Sequence, residues 1–275
     1  MRAVGTMGKA LRFDPLPVYA VAYMAFIYGP VLLLPLFSFN DSIYIAFPLK
    51  SFTVRWYEQM AGNAALIGAL ENSLKLGLVV AIVSTVLGVL AAKAATRYVL
   101  PGRGPVVGII MLPLVVPGII LAIALLVIVR KFLDLPLSLY TIAAGHVLIC
   151  VPFSMLVMVS RLEGFDRNLE EASLDLGENA WRTFWRVTFP LALPGVVASL
   201  LLTFTESFDE FLLAFFLGGN EATLPLFIFS QLRFPNRLPG VLALGTCILV
   251  ASFVLVTLAE WLRRRGVQTG KGAGI

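Results

Sequence analysis

The sequence predicts an all-α integral membrane protein with six transmembrane helices. Three observations predict it. The 275 residues are 59% hydrophobic and only 13% charged, where a soluble domain carries about 25% charge. The charges bound long uncharged runs at 15–40, 76–92, 104–129, 135–160, 187–205 and 238–259, allowing the single His146 in the fourth. The basic residues gather in alternate loops, the asymmetry that orients a membrane protein.

A bilayer core is crossed by about 20 apolar residues rising 1.5 Å each. Lipid offers backbone groups no partners, so each span is read as a helix. The first span is expected over 17–38. It follows Arg2, Lys9 and Arg12, and no small-residue cleavage pattern follows it, so it reads as a retained helix. The 39–69 loop holds Asn40-Asp41-Ser42, Pro48 and Trp56-Tyr57, a pair of interfacial character. The second span, 70–94, lies around an uncharged run bounded by Lys75 and Lys93, whose stems can snorkel. The third, 104–130, carries Pro113 and Pro117 four residues apart. Proline removes a helix hydrogen bond and bends the helix, so a kink here either shapes a cavity or hinge or serves packing alone. The fourth span is expected over 138–160, the fifth over 190–217 with an acidic interruption, and the sixth over 238–262. The Gly-rich 266–274 reads as a disordered tail. One transmembrane domain, 1–275, accounts for the chain.

Basic residues orient it. Arg2, Lys9 and Arg12, then Lys93, Arg97 and Arg103, then Arg161, Arg167, Arg182 and Arg186, then Arg263, Arg264, Arg265 and Lys271 fall on one side. The other side holds Lys50, Arg55, Arg130, Lys131, Arg233 and Arg237. The positive-inside rule puts the richer side, with both termini, in the cytoplasm.

Several function classes are excluded. The net charge of +5 reflects loop bias, and no basic, aromatic-interleaved surface outside the spans suits nucleic acid. Cys150 and Cys247 fall mid-helix with no metal spacing and read as buried thiols. His146 reads as a packed, hydrogen-bonded residue. A phosphate loop ends in Gly-Lys-Ser/Thr, but Gly8-Lys9 is followed by Ala10 and Gly270-Lys271 by Gly272. Energy for any pumping must come from another subunit.

The densest charge lies in the 161–189 loop. Asp166 or Asn168 can cap a helix, with Glu170 and Glu171 in its first turn. Leu169, Ala172 and Leu176 stand at i, i+3 and i+7, and Gly177 is a natural stop. The pattern predicts a short amphipathic helix over 168–176. A second begins after Glu178-Asn179, carries Trp181, Phe184 and Trp185, and leads to Pro190. Such a helix can dock in a partner's cleft and transmit force, or rest on the membrane surface; Trp181 and Trp185 suit either.

Glu171-Ala172-Ser173, three residues, Gly177, nine residues, Val187, Thr188, Phe189-Pro190 resembles the mark of permease subunits of binding-protein-dependent ABC importers. That mark reads Glu-Ala-Ala, three residues, Gly, nine residues, Ile, any residue, Leu-Pro. The spacing matches throughout, with Ser for Ala, Val for Ile and Phe for Leu. Phe39-Asn40-Asp41-Ser42, Phe52-Thr53-Val54-Arg55-Trp56-Tyr57, Asn72-Ser73-Leu74 at the opening of the second span, and Gly164-Phe165-Asp166 resemble the spermidine/putrescine permease subfamily. Coverage is roughly residues 18–265. The resemblance implies the type I (MetI-like) importer permease fold and a coupling helix that docks on an ATPase subunit. Its coupling residues here are Glu171, Ala172, Ser173, Leu176, Gly177, Trp181 and Pro190. It implies a second homologous permease subunit, two ATPase subunits and a periplasmic solute-binding protein. No cofactor is expected on this chain; ATP and Mg belong to the ATPase.

The fifth span carries Thr203-Phe-Thr-Glu206-Ser207-Phe-Asp209-Glu210. Glu206 stands at i, i+3 and i+4 to Asp209 and Glu210, and Thr203 and Ser207 extend the polar stripe. Carboxylates in a membrane are costly unless they face water, a partner or a cation. They form either a cation-attracting surface on the substrate pathway or a structural contact. The polyamine subfamily often has Asp-Asp at the positions of Asp209 and Glu210. Glu206 departs from it, where an apolar residue is usual, and leaves the cargo open between a polyamine and another small organic solute such as an amino-acid derivative or opine. A stand-alone secondary transporter predicts inverted repeats or charge relays in several helices. An intramembrane enzyme predicts a nucleophile–base or metal constellation. The sequence has none of these.

Overall fold

A computed structural model describes residues 15–98 and 102–268; for Pro15, 255–256 and 258–268 it describes the backbone alone. The basic residues Arg2, Lys9, Arg12 and Lys271, and the end of the Gly-rich tail, lie outside the described residues.

The chain opens with α1, Pro15–Ser38, and the short α2, Arg55–Ala61. Next comes α3, Ala64–Arg97. It begins well before Asn72 because Asn63 caps it, its side chain accepting from the amides of Ala65 and Leu66. Asn72 and Ser73 therefore lie inside the helix. The expected third span is two helices, α4 (Arg103–Val115) and α5 (Gly118–Val127), bent by 105° at the break. Val116 is extended, at ψ 129°, because the proline ring of Pro117 disfavours helical backbone in the residue before it. Pro113 stays within α4. A π turn, Ile128–Phe132, ends this segment.

Then follow α6, Leu139–Glu163, and α7, Asn168–Asp175. Ser138 and Thr141 form a capping box at the start of α6, and Glu221 accepts the amide of Leu139. The one-turn α8, Ala180–Thr183, leads through a π turn, Phe184–Thr188, into α9, Phe189–Asp209. These three are one continuous helical stretch. Pro190 does not start the fifth span, as expected, but is absorbed inside it. The wider turn before it accommodates a residue without an N–H. The far end also differs. Helix stops at Asp209, Glu210 is extended at ψ 120°, and α10 covers Leu212–Leu217. The chain closes with α11, Leu224–Leu232, and α12, Leu238–Gln268.

Among the described residues five helical stretches are long and apolar enough to cross a membrane, and six if the bent α4–α5 pair is one span. The fold is all-α.

The chain divides into two compact units, residues 1–62 with 231–275, and residues 63–230. In the first, α12 packs on α1 and α2. Its most ordered feature joins two stretches read separately from the sequence. Asn40 pairs with Phe52, its side chain accepts the amide of Lys50, and its carbonyl accepts the indole N–H of Trp56 at 2.9 Å. Arg55 pairs with Asp41 at 2.7 Å, and Ser38 with Tyr57 at 2.6 Å. Trp56 is thus a buried pin, 7% exposed, rather than an interfacial ring.

The second unit is built on α3, α6 and α9, packed together. One apolar cluster joins Leu76, Val80, Ile142, Leu213 and Leu217; another joins Ala92, Met155, Met158, Leu162 and Ala192. Along the helices a polar band separates them. Ser199 donates to Ser154 at 2.7 Å and pairs with Thr85 at 3.2 Å. Such bonds average about 0.6 kcal/mol in membranes, so close packing of small residues matters as much. A Cβ on Gly88 would stand 2.0 Å from Ser154 Oγ and 2.9 Å from the Met155 amide nitrogen. Asn72 donates to the Ala222 carbonyl, and Ser73 accepts the Leu224 amide, which fastens the start of α11 to α3.

Candidate functional site

The 161–189 loop is held at its base and bare at its tip. Asp166 accepts the backbone amide and the side-chain amide of Asn168, so a residue two positions before α7 organises its entry. At the other end the amide of Gly177 bonds to the Leu174 carbonyl at 2.9 Å and that of Glu178 to Ser173 at 3.2 Å. This double closure needs a left-handed residue, and Gly177 supplies it at φ 90°. Asn179 then caps α8 through the Arg182 amide.

None of the α7 residues is buried. Glu171, Ala172 and Gly177 are exposed, and so are Leu169, Leu174, Trp185, Leu176 at 86% and Trp181 at 69%. Trp181 and Trp185 meet edge to face at 5.8 Å. Ser173 turns inward and hydrogen-bonds Thr183 at 3.0 Å. Pro190 follows the π turn into α9.

The base of the loop is a polar knot that sequence reading did not find. Arg97, in the last turn of α3, pairs with Glu170 of α7 at 3.0 Å. It also donates to the Leu162 carbonyl of α6 at 2.9 Å and lies 4.6 Å over the Phe165 ring. Glu170 accepts from Thr188, in the turn before α9. Arg167 donates to the Thr96 carbonyl, and Lys93 stands 4.5 Å over Phe184. Read in sequence, Arg97 was one loop charge among several and Glu170 a residue suited to the helix dipole. Their separation along the chain hides the pair. The one available signal is that each sits within a turn of a helix end.

The five residues proposed for a polar face on α9 do not share one environment. Thr203 and Ser207 are buried against α6. The Thr203 carbonyl accepts from Cys150 Sγ at 3.7 Å, and Ser207 Oγ pairs with His146 Nδ1 at 2.9 Å. Glu206 is half-buried and Asp209 exposed. Glu210 falls beyond the helix end, so the i+4 geometry does not apply to it. Its carboxylate caps α10 through the Leu213 amide at 2.9 Å. Among the described residues no basic group lies within ion-pair distance of Glu206 or Asp209, and α9 has no basic residue in its last turn.

Pro117 stands at the 105° break and Pro113 inside α4, so the two prolines have different places. Among the described residues no group of three or more His, Cys, Asp or Glu is arranged to hold a metal ion.

Comparison with known proteins adds the family. Residues 84–267 match the binding-protein-dependent transport system inner membrane component. The chain is 33% identical over 270 residues to a spermidine/putrescine transport system permease protein, PotC, of Shigella flexneri, covering 98% of this chain and 99% of that one. It is 32% identical over 247 residues to a putrescine transport system permease protein, PotI, of Escherichia coli K12, covering 87% of each. A crystal structure of a bacterial alginate ABC transporter, in complex with its alginate-bound periplasmic protein, contains a chain of similar fold. The TM-score is 0.68 at 17% identity, over 91% of this chain and 92% of that one. The chain therefore belongs to the inner membrane component family of binding-protein-dependent transport systems, as a multi-pass, non-catalytic permease subunit of an ABC importer.

Proposed function

We propose that this permease imports a polyamine of the spermidine or putrescine type, and that α7 couples its helices to ATP hydrolysis on a partner. The observation that carries the substrate is the end of α9. Helix carbonyls leave a partial negative charge at a C-terminus, where carboxylates are unfavourable unless a cation accompanies them. Glu206 and Asp209 stand there without a basic partner among the described residues. A diamine or triamine satisfies both carboxylates at once. The permease proteins PotC and PotI carry polyamine names, which supports the same cargo.

The exposed apolar tip of the loop supports docking. Leu174, Leu176 and Trp181 are 46%, 86% and 69% exposed among the described residues, and an ATPase cleft provides cover for them. In this arrangement the richer basic side, with α7 and both termini, faces the cytoplasm. ATP and Mg sit on two ATPase subunits. A second homologous permease completes the pathway, and a periplasmic solute-binding protein delivers the cargo.

The test is ATP hydrolysis by the reconstituted complex with its solute-binding protein. Putrescine or spermidine is expected to raise the rate, and neutral sugars, anionic oligosaccharides and zwitterionic amino acids to leave it at the basal level. Stimulation by one of those solutes and not by a polyamine overturns the substrate assignment.

A further inference from the structure

The base of the 161–189 loop concentrates contacts on one side chain. Arg97 touches three different segments: Glu170 on α7, the Leu162 carbonyl on α6, and the Phe165 ring between them. Glu170 extends the chain of contacts to Thr188 and hence to α9. Arg167 binds back to Thr96, beside Arg97. The Arg97 and Glu170 side chains are only 7% and 15% exposed. A pair so largely shielded from water resists separation more than a surface one, because each charge left alone is costly. The guanidinium is suited to this, since its charge pairs with one carboxylate while another of its N–H groups donates to the Leu162 carbonyl and its face stacks on a ring.

We infer that the Arg97–Glu170 pair is the clamp through which displacement of α7 moves the α3–α6–α9 bundle. The inference rests on α7 being the docking element. Without the clamp, α7 keeps only lighter ties: the short 164–167 segment to α6, Ser173–Thr183 to α8, Glu170–Thr188 to the turn before α9, and the neighbouring Arg167 to the Thr96 carbonyl of α3. None of these carries the charge pairing that Arg97 supplies, so α7 then follows a partner with less displacement of α3 and α6. With the clamp, no movement of Glu170 leaves α3, α6 or the turn before α9 undisturbed. Arg97 is thus a positioning residue: it acts on transport through Glu170 and touches no cargo.

The experiment measures uptake and ATP hydrolysis together in proteoliposomes holding the whole importer, with Arg97→Gln, Glu170→Gln, their double variant and Arg97→Lys, beside Gly177→Asp. Arg97→Gln and Glu170→Gln are expected to assemble and hydrolyse ATP within about twofold of the parent, while solute imported per ATP falls by about tenfold, a coupling loss of ordinary size. The double variant is expected to be no worse than either single one, because both remove one interaction. Arg97→Lys keeps the charge but neither the second donor nor the ring stacking, and is expected to restore part of the ratio, above that of Arg97→Gln. A merely structural role lowers uptake and hydrolysis in parallel and leaves the ratio unchanged; that result, or additive losses, overturns the clamp. If Arg97→Gln does not assemble, Glu170→Gln decides by the same ratio, since glutamine retains the shape and an acceptor for Thr188. Gly177→Asp separates the two ideas. Normal assembly and coupling in that variant refute docking through α7. Loss of ATPase binding in it, with an unchanged ratio in Arg97→Gln, refutes the clamp alone.

Discussion

Gly177→Asp is expected to reduce substrate-stimulated ATP hydrolysis to the basal rate while leaving the chain inserted. Gly177 stands at φ 90°, a conformation that costs other residues about 1–2 kcal/mol. A Cβ there meets nothing within 4 Å, so the effect is conformational and electrostatic rather than a clash. The aspartate adds negative charge at the C-terminal end of α7, beside Asp175 and Glu178, where the dipole already disfavours it. Loss of the closing bonds to Leu174 and Ser173 frays the last turn and moves Leu174 and Leu176. If those side chains fill a partner cleft, the loss is that of an interface anchor, about 30-fold or more in stimulated rate. Gly177→Ala carries the strain without the charge and is expected to lose about fivefold. Membrane insertion is unaffected because Gly177 lies outside the apolar stretches. Measurement of stimulated hydrolysis and of chain abundance in the membrane checks both halves. Full stimulation in Gly177→Asp contradicts the docking role.

Neutralising Glu206 and Asp209 together, as Glu206→Gln and Asp209→Asn, is expected to cut polyamine uptake by about tenfold at saturating solute-binding protein. That corresponds to about 1.4 kcal/mol on passage. Coulomb attraction between unit charges 4 Å apart reaches about 4 kcal/mol near a protein surface, and the exposure of Asp209 reduces what two carboxylates retain. Basal ATP hydrolysis is expected to stay within about twofold, since neither residue contacts the coupling loop. Glu210→Gln is the control. Its structural role is to accept the Leu213 amide, which glutamine also does, so it is expected to lose little. Unchanged uptake in the double variant across concentrations removes the α9 end from the pathway.

The spans were legible in sequence because lipid imposes a strong rule: uncharged runs of sufficient length become helices. Breaks within them were less so. The spacing of Pro113 and Pro117 announces a bend but not that Val116 takes an extended backbone and turns the chain by 105°. The acidic interruption over 206–210 is visible in the sequence, yet α10 reads there as the end of the fifth span, and α11 falls in the loop between the fifth and sixth. Pro190 read as a boundary because helix interiors exclude proline, and a π turn removed the conflict. Gly177 was legible because a left-handed stop depends on one residue type. Arg97–Glu170 and Asn40–Trp56 were not, because the partners are far apart in the chain and each has an adequate local explanation. Trp56 shows the difficulty: an aromatic near a span end suits the headgroup layer, and only the Asn40 carbonyl that its indole finds makes it a core residue.

The central claim is that the tip of α7 seats in an ATPase subunit. It is tested most directly by the substitution Leu176→Cys, in a chain whose Cys150 and Cys247 are replaced by Ala, labelled with a maleimide–benzophenone whose excited ketone inserts into a neighbouring C–H bond when the assembled complex is irradiated in its membrane. A covalent product between this chain and the ATPase subunit, changing in yield with nucleotide, is the predicted result. A fluorophore at the same cysteine that is quenched by nitroxide-labelled lipid, with no product to the ATPase, contradicts it and places the loop on the membrane surface.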